Sequence, residues 1–323
     1  MPNLNVAVIG PEGYAKDLGK KGTISDITFY NLKKDDITVT IIEPTRYPEK
    51  LSSLFFSVSM SALALVVVDE INATFGESVL MLDCAGLKKG VIILRNYLSP
   101  DQIAPLIRDT VLESYEIFED DKGKIREYLL DEAAQVREET PAPGKVTRGA
   151  IPVDHFFHVK GIGVVVLGGV SSGIVKRHDK LRVLPTKKVA EVRSIQKHDD
   201  EAEIAFTGDR VGLALKGVEV EDLDRGYVLT TDESITSSAT VTGKAELVKY
   251  WPGPLKENMV LYIGHWMQFL PCRVAFVDNS GNWKKPKITL KLEKELVYPP
   301  GAKALLHYLE GGKLRVVGTV LIE

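Results

Sequence analysis

The sequence predicts a multidomain α/β plus all-β protein, an α/β domain followed by two small β-barrels. Three observations carry that prediction. Strand-like and helix-like segments alternate from residue 4 to residue 136. Pro141-Ala142-Pro143-Gly144 then interrupts the alternation and reads as an interdomain linker. From Lys145 onward, short Val- and Leu-rich runs are punctuated by glycines at turn spacing, with little helical period. Small closed barrels are written this way, with glycine where the chain bends or another backbone comes close. The predicted domains are residues 1–144, 145–232 and 233–323.

Residues 4–9 are apolar and end at Gly10, a buried first strand followed by a loop. Residues 14–21 read as a short helix closed by Gly22. Residues 25–31 and 37–42 are neighbouring strands, with Lys33-Lys34-Asp35-Asp36 as the polar turn. Residues 48–60 are helical, with Leu51, Leu54, Phe55 and Val58 on one face. Residues 62–68 form a fully apolar strand, and residues 74–87 a helix burying Val79, Leu80, Leu82 and Cys84. A strand over 91–94, helices over 100–112 and 125–136, and a short strand over 115–118 complete the pattern. Such alternation implies a mostly parallel sheet covered on both faces. A dinucleotide-binding domain shares the pattern, but no G-x-G-x-x-G follows the first strand.

Apolar residues make up 44 % and charged residues 26 %, an ordinary soluble composition. The net charge of −3 gives no global nucleic-acid signature, so an RNA partner requires a local basic patch. Cys84 and Cys272 are far apart and lack metal-ligand spacing, which reads as buried thiols in a reducing cytosol. The amino terminus runs directly into a strand without a signal-peptide core, and the apolar run 62–68 is too short to span a bilayer. A cytoplasmic protein without a membrane partner is expected. His155 and His158 fall on opposite faces of a predicted strand, and the other histidines are scattered, so no zinc site is expected. Trp251, Trp266 and Trp283 read as core or interdomain packing.

The most specific stretch is Phe157-x-x-x-Gly161-x-Gly163-x-Val165-Val166-x-Gly168-x-Val170-x-x-Gly173, followed by Asp179. Gly208-Asp209-Arg210-Val211-Gly212, Leu215-x-Gly217-Val218 and Arg225-Gly226-Tyr227-Val228-Leu229 come after it. This grammar resembles the second domain of translational GTPases of the elongation factor Tu and SelB class. Arg193-Ser194-Ile195-Gln196-x-His198-Asp199 is more similar to the SelB side. Gly264-His265-Trp266-Met267-Gln268-Phe269 and Gly311-Gly312-Lys313-Leu314-Arg315-Val316-Val317-Gly318 resemble parts of the third domain. The resemblance implies a P-loop-NTPase-like GTPase domain ahead of the two barrels, GTP or GDP with magnesium as cofactors, and aminoacyl-tRNA and the ribosome as partners. No residues remain for SelB's extra C-terminal domain, so a SelB relative is expected to be a truncated one.

The nucleotide motifs that this resemblance implies are largely missing. A phosphate loop needs G-x-x-x-x-G-K-[ST], so that backbone N–H groups and a lysine hold phosphate while a hydroxyl holds magnesium. Gly10-Pro11-Glu12-Gly13 stands at the right place, but Tyr14 follows at once. Gly19-Lys20-Lys21-Gly22-Thr23 lies at the far end of the expected helix. Either the loop is short in the protein, or residues are missing between 13 and 14; the junctions at 94–95 and 120–121 pose the same choice. Thr28 is the nearest match to the family's magnesium-binding threonine, although an ordinary strand threonine explains it as well. Where Asp-x-x-Gly and then histidine are expected, the chain has Glu43-Pro44-Thr45-Arg46-Tyr47. Glu43 keeps a carboxylate, Arg46 stands at the glycine position, and Tyr47 replaces the water-orienting histidine with a phenol of pKa ~10. Asn96 alone remains of Asn-Lys-x-Asp, and Glu119-Asp120-Asp121-Lys122 replaces the Ser-Ala-Lys segment.

By resemblance, the nucleotide-binding candidates are Gly10, Gly13, Thr28, Glu43, Arg46, Tyr47 and Asn96, with Thr28 and Glu43 as metal ligands. No catalytic residue is assigned. Lys176, Arg177, Lys180 and Arg182 are RNA-binding candidates, because cations on the first barrel suit phosphate contact. Charge that protects strand edges explains them equally well. Two functions stand. One is a GTP-binding elongation factor with weak or lost hydrolysis that delivers or binds aminoacyl-tRNA. The other is a nucleotide-independent pseudo-GTPase that binds tRNA or the ribosome as a regulatory factor.

Overall fold

The computed structural model describes residues 2–136, 148–198, 200–311 and 314–323. The chain divides into two compact units, 1–138 and 139–323. The sequence-predicted linker Pro141-Ala142-Pro143-Gly144 lies outside the described residues, as do Gly312 and Lys313.

The first unit begins with β1 (Asn3–Ile9), a 3₁₀ turn (Tyr14–Asp17), β2 (Lys20–Ile24), β3 (Thr28–Lys34) and β4 (Ile37–Glu43). Next come α1 (Leu51–Ser59), β5 (Leu63–Val68), α2 (Ala73–Ala85), β6 (Gly90–Leu94) and α3 (Pro100–Ile107). A second 3₁₀ turn (Val111–Ser114), β7 (Glu116–Phe118) and α4 (Lys122–Ala134) close the unit. The sheet order is β2-β3-β4-β1-β5-β6-β7. The strands β4, β1, β5, β6 and β7 run parallel, and β3 and β2 add antiparallel pairs at one edge. Every residue of β5 is buried, as a central parallel strand requires. Asn72 caps α2 by accepting from the Phe75 N–H, Gly86 ends it in a left-handed conformation, and Asp121 caps α4. Side chains of α4 and the first 3₁₀ turn share one core with β1, β3, β4, β5 and β6.

The expected helix over 14–21 is absent. A single 3₁₀ turn forms, and the chain then enters β2, where Lys20 and Lys21 pair with Asn31 and Tyr30. Burial of Tyr14, Ala15 and Leu18 anchors the turn, and pairing with the β3 edge satisfies the following backbone better than a second helical turn would. The 323-residue chain passes directly from Gly13 into Tyr14, so the short loop belongs to the protein itself.

The second unit holds two closed barrels. The first contains β8 (Ala150–Val159), β9 (Gly163–Gly169), β10 (Ile174–Lys176), β11 (Lys180–Leu184) and β12 (Lys188–Lys197). It continues with β13 (Asp200–Ala202), β14 (Ile204–Phe206), β15 (Arg210–Lys216) and β16 (Val228–Thr230). The order β11-β16-β8-β9-β15-β12 closes through a β11–β12 pairing, which removes the open edges. The second barrel comprises β17 (Thr236–Leu247), β18 (Val260–His265), β19 (Gln268–Asp278), β20 (Lys287–Tyr298), β21 (Lys303–His307) and β22 (Val316–Ile322). Its strands close in the order β17-β20-β19-β18-β21-β22.

The barrels meet through a small apolar cluster of Ala150, Leu184, Val228, Ile235 and Val297, with Trp266 packed against it. Gly226 allows the approach. Its φ is +89°, and a Cβ there would sit 2.9 Å from the Met267 carbonyl oxygen. Within the second barrel, Gln268 fixes Val297 of this cluster by bonding both its N–H and its carbonyl at 2.7 Å. Trp251 lies in the core of the second barrel and Trp283 packs against it; Cys84 and Cys272 are buried free thiols.

Candidate functional site

The C-terminal ends of the parallel strands bring the candidate residues of the α/β unit toward one edge of the sheet, where open α/β sheets bind ligands. Gly10 ends β1 with no room for a side chain: a Cβ would lie 2.7 Å from that of Val67 on β5. Gly13, at φ +80°, turns the chain into the 3₁₀ segment. That turn aims backbone N–H groups at Glu43, the last residue of β4. Ala15 N–H donates to Glu43 Oε1 at 3.3 Å, and Gly13 N–H also bonds the carboxyl group. From β3, the Tyr30 hydroxyl donates to Oε2 at 3.1 Å. Glu43 is buried. Burial raises its pKa, and the donors from Ala15, Tyr30 and Gly13 offset only part of that rise. Tyr30 is itself pushed up to about 12 by burial and by the neighbouring Glu43.

A second group of side chains ties the neighbouring loops together. The Tyr14 hydroxyl donates to Asp120 Oδ1 at 2.7 Å, and Lys122 Nζ lies 3.0 Å from the centre of the Tyr14 ring. Lys122 also binds Asp120 at 2.7 Å. Arg95 Nε lies 3.3 Å from Asp120 and 3.4 Å from Asp69. The loops after β1, β5, β6 and β7 are thereby joined through one set of contacts. Burial pushes the Asp120 carboxyl up, but Lys122, Tyr14 and Arg95 outweigh it and lower the pKa.

The other candidates lie around this core. Thr28 pairs with Glu43 across β3 and β4, but its hydroxyl bonds that of Thr45 at 2.5 Å. The Arg46 side chain is exposed, and its backbone N–H bonds the Asp26 carbonyl. The Tyr47 hydroxyl donates to the Thr74 carbonyl at 3.0 Å. Tyr47 and Gly10 line a cavity of about 250 Å³ floored by Val66, Val67 and Val68. Asn96 is exposed and donates to the Asp69 carbonyl at 3.1 Å. Gly13 and Glu43 therefore come together directly and Gly10 and Tyr47 share a cavity wall, while Arg46 and Asn96 face outward. The sequence reading did not single out Tyr14, Tyr30 or Arg95 as site residues. Tyr14 and Arg95 show only aromatic or polar character past strand ends, and Tyr30 reads as an ordinary strand residue.

On the first barrel, Lys176 and Lys180 are exposed. Arg177 binds Glu203 at 2.9 Å and the Arg193 carbonyl at 3.0 Å. Arg182 donates to the carbonyls of Asp232 at 2.6 Å and Ile235 at 3.1 Å, where the barrels meet. The same barrel buries a charged group the sequence reading left unassigned. Asp154 accepts from both terminal nitrogens of Arg210 and pairs with His155 Nδ1 at 2.6 Å. Burial pushes Asp154 up, yet Arg210 and His155 outweigh it and its pKa is lowered. Among the described residues, no group of three or more His, Cys, Asp or Glu side chains is arranged to hold a metal ion. No helix among them is long and apolar enough to cross a membrane.

Residues 163–230 match the family model of elongation factor Tu domain 2. An uncharacterised protein of Methanocaldococcus jannaschii is 39 % identical over 98 % of this chain and 99 % of its own length. The selenocysteine-specific elongation factor of the same organism is 26 % identical, over 91 % of this chain and 69 % of its own length. Among solved structures, translation elongation factor SelB from Methanococcus maripaludis, in complex with the GTP analogue GppNHp, superposes with a TM-score of 0.81 at 23 % identity. That superposition covers 100 % of this chain and 79 % of the SelB chain, and it supports a shared fold. The α/β unit and two closed barrels, the domain 2 match and the selenocysteine-specific elongation factor that covers 91 % of the chain agree, and the chain belongs to the translational GTPases of the elongation factor Tu and SelB class.

Proposed function

We propose that this chain is a SelB-like translation factor that works without guanine nucleotide, binding tRNA or the ribosome as a regulatory factor in the cytoplasm. In this reading residues 1–144 form a pseudo-GTPase domain, and the barrels of 145–232 and 233–323 carry the interaction surface. The observation that supports it best is the closure of the loop edge by the protein's own side chains. Tyr14, Arg95, Asp120 and Lys122 join the loops that the family uses around a nucleotide. GTP and magnesium fit this residue set poorly. No lysine followed by serine or threonine comes after Gly13, and the N–H groups of Gly13 and Ala15 are taken by Glu43. Thr28, the other metal candidate, is bonded to Thr45. Lys176 and Lys180 remain the best placed of the basic candidates for an RNA backbone.

The second reading is a factor that binds GTP with magnesium, hydrolyses it weakly or not at all, and carries aminoacyl-tRNA. It is favoured by family membership and by the GTP-analogue complex of the SelB neighbour. Isothermal calorimetry with GTP and GDP in the presence of magnesium separates the two. No detectable binding is expected; micromolar or tighter binding would overturn the nucleotide-independent reading.

A further inference from the structure

Backbone N–H groups that converge beside the ends of parallel strands form an anion cradle, because several partial positive charges point at one place. The turn after β1 makes such a cradle from Gly13 and Ala15, and Tyr30 adds a hydroxyl donor from β3. All three point at one carboxyl group, that of Glu43. Its position follows from the sheet. In the parallel register of β1 and β4, Ala7 stands opposite Ile42, which puts Glu43 beside the last residues of β1, just below the turn. From there the longer glutamate side chain reaches the N–H groups.

We propose that Glu43 is a built-in ligand: its carboxyl group fills the anion cradle of the turn in place of any external phosphoryl or carboxylate group. The turn is thereby held in its folded shape by a residue of the same chain, and its order does not depend on a bound small molecule. The inference deepens the nucleotide-independent reading, on which it rests for the cradle having no external occupant. Its own content is the role of Glu43. Removing the side chain beyond Cβ leaves three donors facing a buried space of carboxylate size. A small oxyanion entering that space would restore the acceptors that were lost.

The test is chemical rescue of Glu43→Ala in the full chain, followed by thermal melting. Acetate, formate or inorganic phosphate is compared with chloride at equal ionic strength. The wild-type protein is expected to respond equally to all four salts. Glu43→Ala should melt several degrees lower and regain part of that loss with millimolar oxyanion but not with chloride. An unchanged melting temperature, or a loss that no oxyanion restores beyond chloride, overturns the proposal. If Glu43→Ala does not fold, amide NMR of the wild-type chain decides. Set against Glu43→Gln, its Gly13 and Ala15 amide protons should both be displaced while those of β5 stay in place; Gly13 and Ala15 amides that do not move overturn the proposal. GTP with magnesium added to the wild type reports separately. Binding there, with oxyanion rescue of the variant intact, overturns the nucleotide-independent reading and leaves the role of Glu43 standing.

Discussion

Glu43 in the α/β unit and Asp154 in the first barrel are both buried carboxylates, and their surroundings move them in opposite directions. Burial raises the pKa of each. Around Glu43 the compensating groups are N–H dipoles and a phenol, which recover only part of the cost. Around Asp154 a full guanidinium charge and a histidine outweigh it. The contrast separates two ways of keeping a carboxyl group inside a protein. Dipoles hold a group in place, whereas an opposite charge also fixes its ionisation.

The sharpest way to break that contrast is to remove the charge. Arg210→Ala leaves Asp154 buried without its guanidinium and should destabilise the barrel unit by about 3–5 kcal/mol, as loss of one partner of a buried ion pair does. Urea unfolding followed by barrel tryptophan fluorescence measures it, and a loss below about 1 kcal/mol would place the pair among weak surface contacts. Glu43→Ala should cost less, about 1–3 kcal/mol, because hydrogen-bond donors rather than a charge lose their partner.

Acid titration sharpens the same comparison. The Asp154 pKa is lowered in the folded state, so its stabilisation is present above the unfolded-state value and disappears as pH falls through the folded-state value. The Glu43 pKa is raised, so the sign reverses: the stabilisation is present below the unfolded-state value and is lost as pH rises through the folded-state value. The stability difference between wild type and Glu43→Gln should therefore shift toward wild type on acidification. The difference between wild type and Asp154→Asn should shift toward the variant. Parallel shifts in both pairs would mean that one environment governs both groups.

Smaller effects concern activity and RNA. Arg46→Gly combined with Tyr47→His restores two family residues, but the Arg46 side chain is exposed and the Tyr47 hydroxyl is bonded to Thr74. Ribosome-stimulated GTP turnover should stay at background in both proteins, and clear turnover in either would return the α/β unit to the active GTPases. Lys176→Ala and Lys180→Ala should each weaken RNA binding modestly and reduce its salt slope by about 1, as loss of a phosphate contact does. Arg182→Ala should instead loosen the barrel junction, because its guanidinium bonds the carbonyls of Asp232 and Ile235. An equal change in salt slope for all three variants would assign Arg182 to RNA.

Sequence by itself determined the features written in local periodicity. The glycine-punctuated Val and Leu runs of residues 157–229 specified barrel strands, because side-chain alternation and turn glycines are short-range properties. The apolar run ending at Val68 specified a central strand for the same reason. The helix expected over 14–21 failed because β3 offered that segment a pairing edge, which no local pattern announces. Side-chain partnerships at the loop edge were decided only by the tertiary structure. Ala15 meets Glu43 across 28 positions, and Tyr14 meets Asp120 across 106. Parallel strands joined by crossovers bring such residues together at one end of a sheet, and the register that does so depends on packing throughout the domain.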